Sequence, residues 1–224
     1  MAKHILPLFL ETIIIAATQL TVYIGYAIYE SFYRKEKIQK FLQLAAVHTA
    51  VTAIGGIGLT TLIGHPKDAP PLQKSLSRIS TSPPPLTEII THYITAVLTF
   101  DFIFYTLHRL MHTKPLYTAI HSTHHSFPHT RPSPFAVVHA HPLDYLLTQS
   151  LPVMTVVRIL DAHWLTMVVV GATGLLAAMY VHSADLAGVM SHLGHHRRPK
   201  ENFGALGVAD AFAGWVGVGV KGSV

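Results

Sequence analysis

Apolar residues gather along this chain in five runs, and the polar residues lie mostly between them. Ile5 to Tyr29 and Phe41 to Gly64 each exceed the ~20 residues a helix needs to cross a bilayer. Glu88 to Leu107 is a third run, carrying His92 and Asp101 within it. Leu143 to Leu160 and Trp164 to Val181 are shorter, and the break at Asp161-Ala162-His163 predicts a hairpin between them. Spanning segments must satisfy their own backbone groups, and no strand-like alternation accompanies these runs. The pattern therefore predicts an all-α fold, a polytopic membrane helix bundle.

The polar stretches order this bundle. Arg34, Lys35, Lys37 and Lys40 follow the first run, and a short loop so rich in basic residues belongs on the cytosolic side. With Glu11 inside it and no small-residue cleavage site after it, the first run reads as a retained anchor and not a signal peptide. Parity then sends the Pro-rich stretch from His65 to Thr87 to the far side and returns the chain to the cytosol near His108. The closing hairpin starts and ends on that same side. The expected organisation is one structural domain: an N-terminal transmembrane hairpin with its Pro-rich connection over 1–87, and a histidine-rich region over 88–224.

Composition sharpens this picture. Of 224 residues, 50% are hydrophobic and only 12% charged, about half the charged fraction usual for a soluble domain. The mean hydropathy is +0.40. The net charge of +5 falls beside apolar runs, which fits membrane flanks and no nucleic-acid partner. Cysteine is absent, which excludes disulfides, iron–sulfur clusters and thiolate-bound metals. Histidine occurs 17 times and is the outlier.

Eight of these histidines fall into three clusters: His108 and His112; His121, His124 and His125; His192, His195 and His196. Residues three or four apart on a helix share a face, so each cluster can direct its imidazoles together. Asp101, Tyr105, His108 and His112 follow at spacings of four, three and four and form one helical face. Asp101 and Tyr105 are thereby candidates to orient imidazoles through hydrogen bonds. Pro115 is placed to begin a new helix leading into the second cluster. Eight imidazoles exceed the needs of one four-coordinate zinc and suit two metal ions, with iron the leading candidate in the absence of thiolates. Parity places the clusters on the cytosolic face, with Arg109, Lys114, Arg131, Arg197, Arg198 and Lys200 around them, as a histidine-rich metal-binding cap. His182 and His141, at the two ends of the hairpin, reach the same level and extend the candidate ligand set to ten. His139 reads as a neighbour, His4, His48, His65, His92 and His163 as structural or interfacial, and His129 is open.

The run DFIFYTLHRLMH, followed by YTAIHSTHHSFPHTRPSPF, HAHPLDYLL, His182-Ser183 and HLGHHRRPKENFG, resembles the fatty acid hydroxylase superfamily from about Asp101 to Gly204. That superfamily includes sterol desaturases, sterol methyl oxidases and sphingoid-base hydroxylases. The resemblance implies a membrane-embedded non-haem di-iron oxygenase, commonly of the endoplasmic reticulum, that uses O2 to hydroxylate or desaturate an unactivated C–H of a lipid. It implies His108, His112, His121, His124, His125, His192, His195 and His196 as metal ligands, with His141 and His182 as additions. No flavin, nicotinamide or haem-binding motif is present, so electrons must come from outside. The resemblance implies cytochrome b5 and its NADH-dependent reductase as donors. Asn202-Phe203-Gly204 and Asp210 match the family's pattern after the last cluster, but a Gly-rich end, Ala213-Gly214-Trp215-Val216-Gly217-Val218-Gly219, replaces its usual Gly-Thr pair and polar tail. Alternatives are a zinc-dependent membrane hydrolase, which leaves most of these histidines without a task, a divalent-metal transporter, which needs ligands near mid-membrane, and a diverged family member catalysing another oxidation or a cyclisation.

Overall fold

The structure is a computed structural model that describes residues 2–33, 38–63, 82–128, 133–183 and 192–216. Arg34, Lys35 and Lys37, residues 65–81 of the Pro-rich connection, His129, Arg131 and the end of the chain from Gly217 lie outside the described residues. All regular structure among the described residues is helical. Helix α1 runs over Ala2–Tyr33, α2 over Ile38–Ile63 and α3 over Leu86–Met111. A composite helix, α4, joins Lys114–Leu116, a π-helical turn Tyr117–His121 and Ser122–His125. After a 3-10 turn at Pro134–Val138, α5 joins Pro142–Tyr145, a second π-helical turn Leu146–Ser150 and Leu151–Ile159. Helices α6 (Trp164–Ser183), α7 (His192–Arg197) and α8 (Val208–Trp215) complete the fold.

Among the described residues, four helices are long and apolar enough to cross a membrane, over Thr12–Tyr29, Ile38–Leu59, Leu86–Met111 and Trp164–Ser183. Threonines inside them return their hydroxyls to the preceding turn: Thr18 donates to the Ile14 carbonyl, Thr52 to His48 and Thr173 to Val169. Such bonds let a hydroxyl sit in an apolar helix without a distant partner. The fourth expected run, Leu143 to Leu160, is not among these spans. Pro152 lacks an N–H and crowds the carbonyl four residues earlier. The helix widens into its π-turn just before that proline, leaving nine regular residues after the turn. The expected break at Asp161-Ala162-His163 is present, with Asp161 in the left-handed region at φ 54.

The chain divides into two compact units. The first holds residues 1–96 and 153–173. In it α1 and α2 pack antiparallel, with Tyr23 and Phe41 edge to face at 5.6 Å near their connection. Further along the pair Gly56 permits a close approach, since a Cβ there would lie 2.8 Å from both Thr12 and Met154. His48 is buried in this unit, and His163 caps α6 by accepting from the Leu165 amide at 3.2 Å. The second unit holds residues 97–152 and 174–224. Its apolar centre includes Tyr105, Phe203, Ala209 and Ala213, and all three histidine clusters lie within it.

Candidate metal centre

Helix α3 ends on His108 and His112, one turn apart, and Pro115 starts α4, which turns the chain back with His121, His124 and His125. The short α7 contributes His192, His195 and His196, and the last turn of α6 contributes His182. These nine imidazoles assemble into two groups. His108, His112, His121, His125 and His195 form one, and His124, His182, His192 and His196 the other, with ligand atoms in each within 4.8 Å of one another. The division follows helical spacing. In each HxxHH triplet the i,i+4 pair joins one group and the remaining histidine joins the other.

The hydrogen bonds set the chemistry of the five-histidine group. His108 Nδ1 meets the Phe203 carbonyl at 2.7 Å, and His195 Nδ1 meets the Glu201 carbonyl at 2.6 Å. A carbonyl can only accept, so both imidazoles carry the proton on Nδ1. His121 Nδ1 donates likewise to Asp144 Oδ2 at 2.8 Å. The Nε2 lone pairs of all three are left to converge. His108 and His112 each stand 3.1 Å from His121 through Nε2, His125 stands 3.1 Å from it, and His195 stands 3.0 Å from His112. Burial, reinforced by neighbouring imidazoles, holds His112 down to about 2 and lowers His125 further. Burial also takes His195 to about 3, against the opposing hydrogen bond to Glu201. His112, His125 and His195 are thus neutral, and the Nε2 lone pairs of His108 and His121, aimed at one another at 3.1 Å, repel unless a cation lies between them.

The four-histidine group repeats this logic. His182 Nδ1 donates to the Ala178 carbonyl at 2.6 Å and His124 Nδ1 to the His139 carbonyl at 3.3 Å. Their Nε2 atoms face each other at 3.3 Å. His196 Nε2 and His192 Nδ1 are buried without hydrogen-bond partners. Burial is the main cause that lowers His124, His192 and His196.

Both groups fit a metal. A nitrogen ligand lies about 2.0–2.1 Å from zinc, so two nitrogens on one ion are about 2.9–3.0 Å apart at a right angle and about 3.3–3.4 Å apart at a tetrahedral one. The separations observed here fall at or between these values. An all-imidazole donor set suits iron, zinc, copper or nickel, and five donors in one group exceed what a tetrahedral structural zinc takes.

His141, expected as a ligand, stands in neither group. Its Nδ1 accepts from the Leu143 amide at 3.2 Å and caps α5, which commits that lone pair to the backbone. Asp101 and Tyr105 share the histidine face of α3 but orient no imidazole directly. Asp101 accepts the amides of Leu206 at 2.6 Å and Ala209 at 2.8 Å, and the Tyr105 hydroxyl accepts from Arg109 at 3.0 Å. The groups that do hold the rings are Asp144 and the carbonyls of Phe203, Glu201, Ala178 and His139. Carbonyls have no side-chain signature in a sequence. Asp144 had one, a carboxylate inside an apolar run, which calls for a partner. Its Oδ1 is buried without a hydrogen bond, and Asp144 lines a small cavity together with Phe104, Val137, Tyr145, Thr148 and Gln149, beside members of both histidine groups.

Comparison with known proteins gives partial relatives. Fatty acid hydroxylase ahd1 of Mycosarcoma maydis is 30% identical over 129 residues, which are 55% of this chain and 33% of that protein. Fatty acid hydroxylase domain-containing protein 2 of Homo sapiens is 28% identical over 120 residues, 51% of this chain and 35% of that protein. Delta(7)-sterol-C5(6)-desaturase of Nicotiana tabacum is 30% identical over 112 residues, 46% of this chain and 41% of that protein. The matches thus span well under half the length of these relatives. No solved structure matches the chain. The family model for fatty acid hydroxylase matches residues 93–214, which include both histidine groups, and the chain belongs to that family.

Proposed function

We propose that this protein is a membrane-bound non-haem di-iron oxygenase that hydroxylates or desaturates an unactivated C–H of a lipid, with residues 88–224 as its catalytic region. The single observation that carries the reading is the pair of adjoining imidazole groups with their lone pairs turned inward. His108, His112, His121, His125 and His195 would hold one iron, and His124, His182, His192 and His196 the other. When bound there, iron supplies the activation of O2 and the cleavage of the C–H bond, chemistry that no side chain provides.

The chain's own residues prepare that site. Nδ1–H bonds fix the tautomers of His108, His121, His124, His182 and His195 so that each presents Nε2. Phe104 and Val137 give the adjoining cavity an apolar wall that limits water, while Thr148 and Gln149 add groups able to orient a polar part of the substrate. The names of the relatives, fatty acid hydroxylases and a sterol desaturase, support a lipid substrate. Four apolar helices support its delivery from the bilayer. In this reading the protein resides in the endoplasmic reticulum with its histidines toward the cytosol, and cytochrome b5 with its NADH-dependent reductase supplies the electrons.

A zinc hydrolase is the rival. It uses three protein ligands and a water, and nine assembled imidazoles argue against it. Metal analysis of the purified protein decides. Two irons per chain, with turnover that requires O2 and a reductant, are expected. One zinc per chain, with full turnover under anaerobic, donor-free conditions, would overturn the oxygenase reading.

A further inference from the structure

Asp101 and Asp210 both hold the stretch of chain that follows α7, and each uses both carboxylate oxygens on backbone amides. Asp210 Oδ1 accepts the Phe203 amide at 2.8 Å and Oδ2 the Gly204 amide at 2.7 Å. Asp101, wholly buried in α3, accepts the amides of Leu206 and Ala209. The loop is bent to permit this, with Asn202 at φ 56 and Gly207 at φ 81. Gly204 lies where the two carboxylates come closest. A Cβ there would stand 2.5 Å from Asp210 Oδ2 and 3.1 Å from Asp101 Oδ1.

The Gly204 N–H and the Phe203 C=O belong to one planar peptide unit and point in opposite directions. On one side the N–H donates to Asp210 at 2.7 Å. On the other, the C=O accepts from His108 Nδ1 at 2.7 Å. A carboxylate is thereby connected to a candidate metal ligand through a single peptide. Hydrogen bonds in series polarise one another. A negative charge at the N–H end enriches the carbonyl oxygen, which strengthens its hold on the His108 proton and raises the donor strength of His108 Nε2.

We propose that Asp210 is a positioning residue for the five-histidine metal site, acting on His108 through the Phe203–Gly204 peptide, with Asp101 holding the loop in register. The proposal rests on the two-metal reading above and deepens it. Its reach is selective, because none of the imidazoles of the four-histidine group bonds to the Phe203–Gly204 peptide.

The test uses Asp210→Asn, which keeps the shape and removes the charge, and Gly204→Ala, whose methyl group displaces the carboxylate from the peptide N–H. Membrane-embedded protein is stripped of metal and titrated with ferrous iron under anaerobic conditions against a competing chelator, with Mössbauer spectra of the loaded samples. In both variants one of the two iron sites is expected to weaken about 10–100-fold, as when a group orienting a metal-bound histidine is lost. Its spectrum changes while that of the other iron stays as it is. Unchanged affinity at both sites, or equal weakening of both, overturns the role assigned to Asp210. Where Gly204→Ala does not fold, Asp210→Asn alone decides. If the unmodified protein binds no iron pair, the two-metal reading itself fails, and this is read before either variant is examined.

Discussion

His121 and Asp144 meet at 2.8 Å, imidazole Nδ1 to carboxylate Oδ2, with both side chains buried. The carboxylate fixes the tautomer and increases the basicity of a ring whose Nε2 lies 3.1 Å from three other imidazoles. Asp144→Asn is expected to lower metal affinity at the five-histidine group by about 10–100-fold. A chelator competition on purified protein measures it, and unchanged affinity would free Asp144 of this task.

The two groups can be emptied separately. His195→Ala removes one of five donors from the first, and His124→Ala one of four from the second. Each variant is expected to retain close to one iron where two are expected in the unmodified protein, and to lose turnover while still entering the membrane. Elemental analysis beside a membrane-fraction assay reads both quantities. Two full equivalents of iron in either variant would remove that residue from the ligand set.

Acid should weaken the metal-free site. His112 and His195 have folded values of about 2 and about 3, below the value of about 6.5 for an unperturbed histidine. Between those limits the unfolded chain binds more protons than the folded one, so stability rises with pH and is lost as pH falls. The contribution is complete above pH about 6.5 and is lost progressively as pH falls toward the folded values. Thermal unfolding of the metal-stripped protein is expected to move to lower temperature from pH about 7.5 to about 5, and an upward shift would contradict the neutral, buried state of these rings.

Much of this site was legible because imidazoles announce themselves. The i,i+4 spacings of His108 with His112, His121 with His125, and His192 with His196 each survive as shared membership of one group. The assignment of His124 and His195 to the opposite group was not legible, since a helical face does not say which neighbour lies on either side of it. The same limit governs Asp101. Its place on the histidine face was readable, but its partners Leu206 and Ala209 lie 105 and 108 residues away in sequence. His141 illustrates a competition that a ligand pattern cannot arbitrate, because a histidine ahead of Pro142 can also serve as a helix cap. The long helices were readable from apolar length alone. The widened turn at Leu146–Ser150, which leaves the fourth run short of a span, depended on how the chain accommodates Pro152.

Metal removal offers a further check. A ligand that binds only the folded state stabilises it in proportion to the logarithm of its concentration over its dissociation constant. Stripping the metal is expected to lower the unfolding temperature and to speed amide exchange in α7 and the end of α3, whose histidines are candidate ligands. Exchange that is indifferent to metal would show that the imidazoles are held by packing alone.

The splitting of the two triplets has one more consequence. Helices α4 and α7 each stand between the two imidazole groups, sending His121 and His125 or His195 to one and His124 or His192 and His196 to the other. Turning either helix about its axis would therefore withdraw donors from both groups at once. The two short helices act as shared pins, the rotation of each being fixed by two groups and not by one.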